Sequence, residues 1–118
     1  MTRSPSHERH MRRRLEQLGS NDPRCSTCGE SDWRTLELHH IASRSEDDIC
    51  AVVCRNCHRK LSDEQHGHPA KLPDADAGIQ AIAHFLLGLA DMLALIVPKL
   101  RVFGAKLAER SNEGGTLS

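Results

Sequence analysis

The sequence predicts a small α+β fold stapled by a metal ion, and three observations predict it. Two CxxC pairs bracket a stretch that reads as two short strands. Helical segments with start and stop signals flank that stretch on both sides. Only Trp33, Phe85 and Phe103 are aromatic, too few to hold a domain together by packing alone. At 118 residues the chain has room for one small domain and an appendage.

The first element is a basic helix within residues 1–19. Ser4 is placed to cap it, Pro5 suits its first helical position, and Gly19 suits a left-handed stop. Met11, Leu15 and Leu18 form a narrow apolar stripe for docking, with the arginines facing outward. Arg3, Arg9, Arg12, Arg13 and Arg14 against the lone Glu8 make this the most basic stretch, which either meets phosphates or is simply solvated. His7 and His10 on it carry no expected chemistry. The whole chain, with 16 basic and 16 acidic residues, is neutral, so any nucleic-acid surface must be local.

Residues 20–65 form the central module. Alternation around Leu36 and Leu38 indicates a half-buried strand, the apolar run Ile49 to Val53 a second one, and "ASRSEDD" the polar connection between them. A short helix is expected from Cys57, anchored by Leu61. Cys25-Ser-Thr-Cys28 and Cys54-Arg-Asn-Cys57 are separated by 25 residues. Each CxxC turn supplies one edge of a tetrahedron, so the four cysteines are expected to bind a structural zinc ion. Two redox CxxC motifs are the alternative, but they would need a βαβ context that is missing here. Gly29 suits the first turn. Cys50, in the apolar run, reads as a small buried hydrophobe rather than a fifth ligand. Paired CxxC motifs without a secretory leader are expected in the cytoplasm, where disulfides are disfavoured.

With the cysteines committed to one ion, His39, His40 and His58 remain. Adjacent strand residues point to opposite faces, so His39 and His40 suit different tasks, while hairpin folding returns His58 toward His39. A cation beside a neutral imidazole is the arrangement that hydrolytic centres use.

These residues, "CSTCG…LELHHI…VVCRNCHRK", resemble the HNH endonuclease motif, in the subgroup whose ββα-metal finger is braced by a four-cysteine zinc. The resemblance covers residues 25 to about 62. It implies a finger of the HNH/His-Me type that hydrolyses DNA phosphodiester bonds. His39 and His58 resemble ligands of a catalytic divalent cation (Mg2+, Mn2+, Ni2+ or Zn2+), and His40 resembles the general base. The family's middle asparagine falls at Ile49, which cannot orient an imidazole, so the resemblance implies weakened catalysis. Asp48, or Asp47 with a slipped alignment, is the candidate replacement. Arg44, Arg55, Arg59 and Lys60 surround the motif and are the candidate phosphate contacts, with a solvated rim as the plain reading. A non-catalytic zinc-binding module for nucleic acid or protein, dimerised by the C-terminal helix, is the alternative function. A third reading is an assembly module whose histidines are incidental.

Residues 66–78 are a linker by composition, and His66 and His68 within it are expected to be solvated. Residues 79–110 form a helical oligomerisation segment, kinked or divided near Pro98. Ile79, Ile82, Leu86, Leu89, Leu93, Ile96, Leu100, Phe103 and Leu107 repeat with alternating spacings of three and four, a heptad-like seam that predicts a homo-oligomer, simplest as a homodimer, through residues 79–107. The rival reading is a membrane span through "AIAHFLLGLADMLALIV". An acid at mid-membrane costs about 3 kcal/mol or more, so Asp91 and His84 argue against it. Residues 111–118 are expected to be a disordered tail.

Overall fold

Ser4 begins the first helix, α1 (Pro5–Leu18), by accepting a 3.2 Å hydrogen bond from the amide of His7. Gly19 ends it at φ 75°, with its amide directed to the carbonyls of Leu15 and Glu16. The computed structural model describes residues 4–43 and 48–114. The helix buries Leu18 and half-buries Met11 and Leu15. Contrary to the expectation that all its arginines face outward, Arg14 turns inward and donates from Nη2 to the carbonyl oxygen of Leu36. An arginine stem can cover apolar surface while its fork reaches a backbone acceptor at the start of the next strand.

Beyond the first CxxC pair, Asp32 accepts from the amide of Arg34 and starts a single 3-10 turn, Trp33–Thr35. Trp33 sits edge-on to His7 and His10 of α1, with ring centroids 6.1 and 5.6 Å apart. These two histidines thus have a packing role.

Strands β1 (Leu36–His40) and β2 (Cys50–Cys54) pair antiparallel, with Leu36 opposite Cys54, His39 opposite Ala51 and His40 opposite Cys50. The second strand starts one residue later than the apolar run suggests. Ile49 lies outside it, 49% exposed, although its carbonyl still accepts from the amide of Ile41. Helix α2 (Arg55–His66) follows without a connecting loop, because Cys54 ends the strand and caps the helix through its sulfur. It begins two residues earlier than expected from the sequence. Gln65 in its last turn donates to the carbonyls of His40 and Ile41 at 2.9 and 3.2 Å, tying the far end of α2 to the end of β1. Leu36, Val53 and Leu61 are essentially inaccessible to solvent and form the centre of the core with Leu18, Ile41 and Met92.

Helix α3 (Ala77–Gly114) lies across this core. Phe85, Leu89, Met92 and Leu95 supply its contact face. It is longer and more regular than the sequence suggests. Pro98 lies inside one uninterrupted helix instead of dividing it, and the helix continues into 111–114, where a disordered tail was expected. A proline removes one i to i−4 hydrogen bond, a local cost that the long apolar segments on either side tolerate. The hydroxyl of Ser111 donates to the carbonyl of Ala108 and supports the last turns.

The segment before α3 is also more ordered than its composition implies. His68 was expected to be solvated, but its side chain is 11% exposed and its Nε2 lies 2.7 Å from Asp91 Oδ2. His84 is buried, with Nδ1 2.9 Å from the carbonyl of Gln80 and Nε2 3.1 Å from that of Pro69. These contacts lash residues 68–69 to α3. His66 is exposed, as expected.

At Gly88 the α3 backbone comes so close to Ile41, just past the end of β1, that an added Cβ would overlap that residue's carbonyl oxygen and carbon. Gly88→Ala is therefore expected to lower stability by at least ~2 kcal/mol, since backbone cannot yield as a side-chain tip can. Gly104→Ala, where nothing lies within 4 Å, is expected to be neutral or stabilising by up to ~1 kcal/mol. Urea unfolding of the two variants beside the wild type checks both outcomes.

Candidate functional site

The two CxxC turns are built differently and converge on one point. In the first, Cys25 donates its amide to Glu30 O, Gly29 returns an amide to Cys25 O, and Gly29 adopts φ 82° to close the turn. Ser26 anchors this turn to β2, with both its amide and hydroxyl 2.8 Å from Val52 O. The second turn is the β2–α2 junction itself, so Cys54 and Cys57 sit at a helix N-terminus. There the sulfur of Cys54 accepts from the amide of Cys57 and closes the turn.

The sulfurs of Cys25, Cys28, Cys54 and Cys57 all lie within 4.8 Å of one another. Those of Cys28 and Cys54 are 3.7 Å apart. A tetrahedral ion with bonds of about 2.3 Å to sulfur places its ligands about 3.8 Å apart, whereas a disulfide requires about 2.0 Å. The cluster can therefore hold a metal ion such as zinc. Cys50 stands outside it, half-buried on β2.

The thiols differ in how readily they ionise. Burial opposes ionisation of Cys25, but hydrogen bonds from the Thr27 hydroxyl and from the amides of Cys54 and Thr27 outweigh it and bring the group down to about 6. Burial pushes Cys28 up to about 12, and the neighbouring sulfurs reinforce the shift. Cys57 is raised by burial and by Cys54 and Cys25. One cluster thus favours the thiolate at Cys25 and resists it at Cys28 and Cys57, the behaviour of packed sulfurs that a cation can neutralise together.

His39 and His58 meet beside this cluster. His39, in β1, is 2% exposed, and its ring lies 5.3 Å from that of His58 in the first turn of α2, nearly perpendicular to it. Its Nε2 is buried without a hydrogen-bond partner among the described residues. A buried polar atom in that condition costs roughly 1–3 kcal/mol unless something satisfies it. Burial, reinforced by the charges of His58 and His40 and opposed by Asp91, holds His39 down to about 4. It is therefore a neutral imidazole near pH 7, the form that can ligate a cation.

Glu37 completes the cluster, and sequence reasoning missed it. It lies two residues before His39 and hence on the same strand face, with Oε2 3.7 Å from His58 Nδ1 and Oε1 3.9 Å from Arg55 Nε. The i, i+2 relation to His39 was the available signal, but the partner on α2 could not be read from β1. At 3.7 Å the carboxylate faces Nδ1 of His58 as a neighbouring charge, beyond hydrogen-bond length.

His40 points to the opposite strand face, half-buried, yet close enough for its charge to act on His39. Asp48 is exposed and shares no hydrogen bond with His40 among the described residues. Arg55 and Arg59 line an open groove of about 610 Å³ together with Glu37, Asn56, His58, Ser62 and Asp63. Lys60, grouped with them by sequence, lines a different cleft against Asp91 and Leu95 of α3. Arg44 and Asp47 lie outside the described residues. Compared with known protein families, with curated proteins and with solved structures, the chain matches none.

Two outcomes follow from this geometry. Zinc-grown protein is expected to hold one equivalent by elemental analysis. Cys57→Ser is expected to lose the metal and fold poorly, while Cys50→Ser keeps both metal and fold. The second outcome concerns pH. The unfolded His39 side chain titrates near 6.5 and the folded one near 4, so between these values the unfolded state binds the extra proton. Stability contributed by His39 is intact above pH 6.5 and falls as pH drops toward 4, by at most ~3 kcal/mol. Urea unfolding of wild type and His39→Gln between pH 7 and 5, both saturated with zinc, is expected to show the steeper pH slope in the wild type.

Proposed function

We propose that the chain is a small metal-dependent endonuclease of the HNH type, acting on DNA phosphodiester bonds, with a structural zinc at the four cysteines and a second, exchangeable cation at His39 and His58. The observation that carries this reading is the buried Nε2 of His39, unpartnered among the described residues, on a ring whose centre lies 5.3 Å from that of His58. A divalent cation bound there would supply Lewis-acid stabilisation of charge on the phosphate and on the leaving oxygen.

The chain's own residues carry the remaining steps. Glu37 places a carboxylate 3.7 Å from His58 Nδ1, a charge that favours a cation beside that ring. Arg55 and Arg59, open to solvent beside His58, meet the phosphates flanking the scissile bond and position the duplex without reading its sequence. His40 takes the proton of the attacking water, and Gln65 steadies it by donating to the backbone carbonyl of the same residue. With Ile49 in the place of an orienting asparagine, that grip on the backbone replaces a grip on the ring, and a slow enzyme is the expected result.

Supercoiled plasmid incubated with the zinc-loaded protein and manganese or magnesium is expected to be nicked. His40→Ala is expected to lower the nicking rate ~100-fold or more with zinc content unchanged. The exposure of Ile49 and the absence of a bond between Asp48 and His40 favour a second reading, a zinc-braced module that binds nucleic acid or protein without cutting. Equal inertness of wild type and His40→Ala across several divalent ions would decide for it.

A further inference from the structure

The finger occupies one side of α3 and leaves the other bare. His84, Phe85, Gly88 and Met92 face the hairpin and the segment before α3. On the free side, Ile79, Leu86, Leu93, Leu100 and Leu107 recur every seventh residue and are 68, 58, 50, 63 and 59% exposed. Phe103, 62% exposed, instead borders a cleft beside Cys28 of the module. The radius of gyration, 18.7 Å, exceeds the roughly 13–14 Å of a compact chain of this length because α3 overhangs the module. With Ile82, 62% exposed, the bare stripe offers several hundred Å² of apolar surface, approaching the roughly 800 Å² that one partner contributes to a standard protein interface. A monomer in water rarely leaves so much exposed.

We propose that this face docks a second copy of the same chain, with the two α3 helices antiparallel and the two-fold axis near Leu93. Three features select this occupant. The spacing of alternating threes and fours runs unbroken through Pro98, the pattern of a seam between helices. About Leu93 it is symmetric: position 79 faces 107, and 86 faces 100. One charged pair obeys the same symmetry: Asp76, which caps α3 through Ile79, falls opposite Arg110 of the other copy. Parallel pairing would instead bring Lys99, Arg101, Lys106 and Arg110 of both copies together.

A lipid bilayer is the competing occupant. Residues 77–113 are long and apolar enough to cross one, with a window of mean hydropathy 2.0. Spanning would, however, strip the module from Gly88 and carry Asp91, bound to His68, into hydrocarbon. Lying flat on an anionic surface calls for cations along the rim of the apolar face, and between residues 79 and 98 there are none. This assembly does not depend on the chemistry at His39 and His58.

The test is sedimentation velocity of the full zinc-loaded chain at tens of micromolar. The wild type is expected to be a dimer, and Leu93→Glu a monomer that keeps its zinc and helical content, with self-association weakened at least tenfold. Asp76→Arg and Arg110→Asp are each expected to weaken self-association roughly three- to tenfold and to restore it when mixed, since mixing rebuilds an ion pair at both ends. A monomeric wild type would overturn the proposal, as would a dimer indifferent to Leu93→Glu. Failure of the two charge variants to complement would overturn the antiparallel arrangement. A wild type that is monomeric alone and floats with phosphatidylglycerol-containing vesicles would assign the face to lipid.

Discussion

Four thiols drawn to within 4.8 Å of one another set the terms for everything else in this fold. Cys25 and Cys28 lie on a loop that β2 holds through Ser26, while Cys54 and Cys57 lie at the point where β2 becomes α2. Closing the cluster sets the angle at which α2 leaves the sheet and hence the position of His58, the residue after Cys57. A two-stranded hairpin alone is marginal in water, and three aromatics do not make up the deficit. Metal binding worth on the order of 10 kcal/mol can.

The second constraint is the close approach of α3 at Gly88. Because the helix backbone meets the carbonyl of Ile41 directly, the helix packs tightly over the end of the strand that carries both histidines. Met92 and Phe85 then close the core, and Asp91 reaches His68 on one side while its charge acts on His39 on the other. Helix α3 is thus part of the electrostatic surroundings of the histidine pair. Burial keeps His39 neutral, and the same burial leaves its Nε2 without a hydrogen-bond partner among the described residues. The histidine pair sits beside the sulfur cluster, tied to it by the peptide bond between Cys57 and His58.

Much of this was legible in the residues because it rests on local rules. Ser4, Pro5 and Gly19 delimit α1 by capping and backbone preference, and their assignment needs no knowledge of distant residues. The CxxC spacing defines the knuckles for the same reason. What escaped was contact between elements. Glu37 gave no signal as a partner of His58, because 20 residues and a turn separate them. Arg14, placed outward by the pattern of α1, found an acceptor on β1. His68 looked solvated amid glycine and proline until α3 supplied Asp91.

By itself, then, the sequence determined the element order, the membership of the four-cysteine cluster and the heptad seam, all properties of spacing along one chain. Only the tertiary structure decided that His39 is buried and His40 only half so, that Arg55 and Arg59 share a groove with His58 while Lys60 does not, and that one side of α3 is spent on the module while the other stays bare. Burial and electrostatic environment depend on what lies across a gap in space, and no periodicity within a single element encodes that.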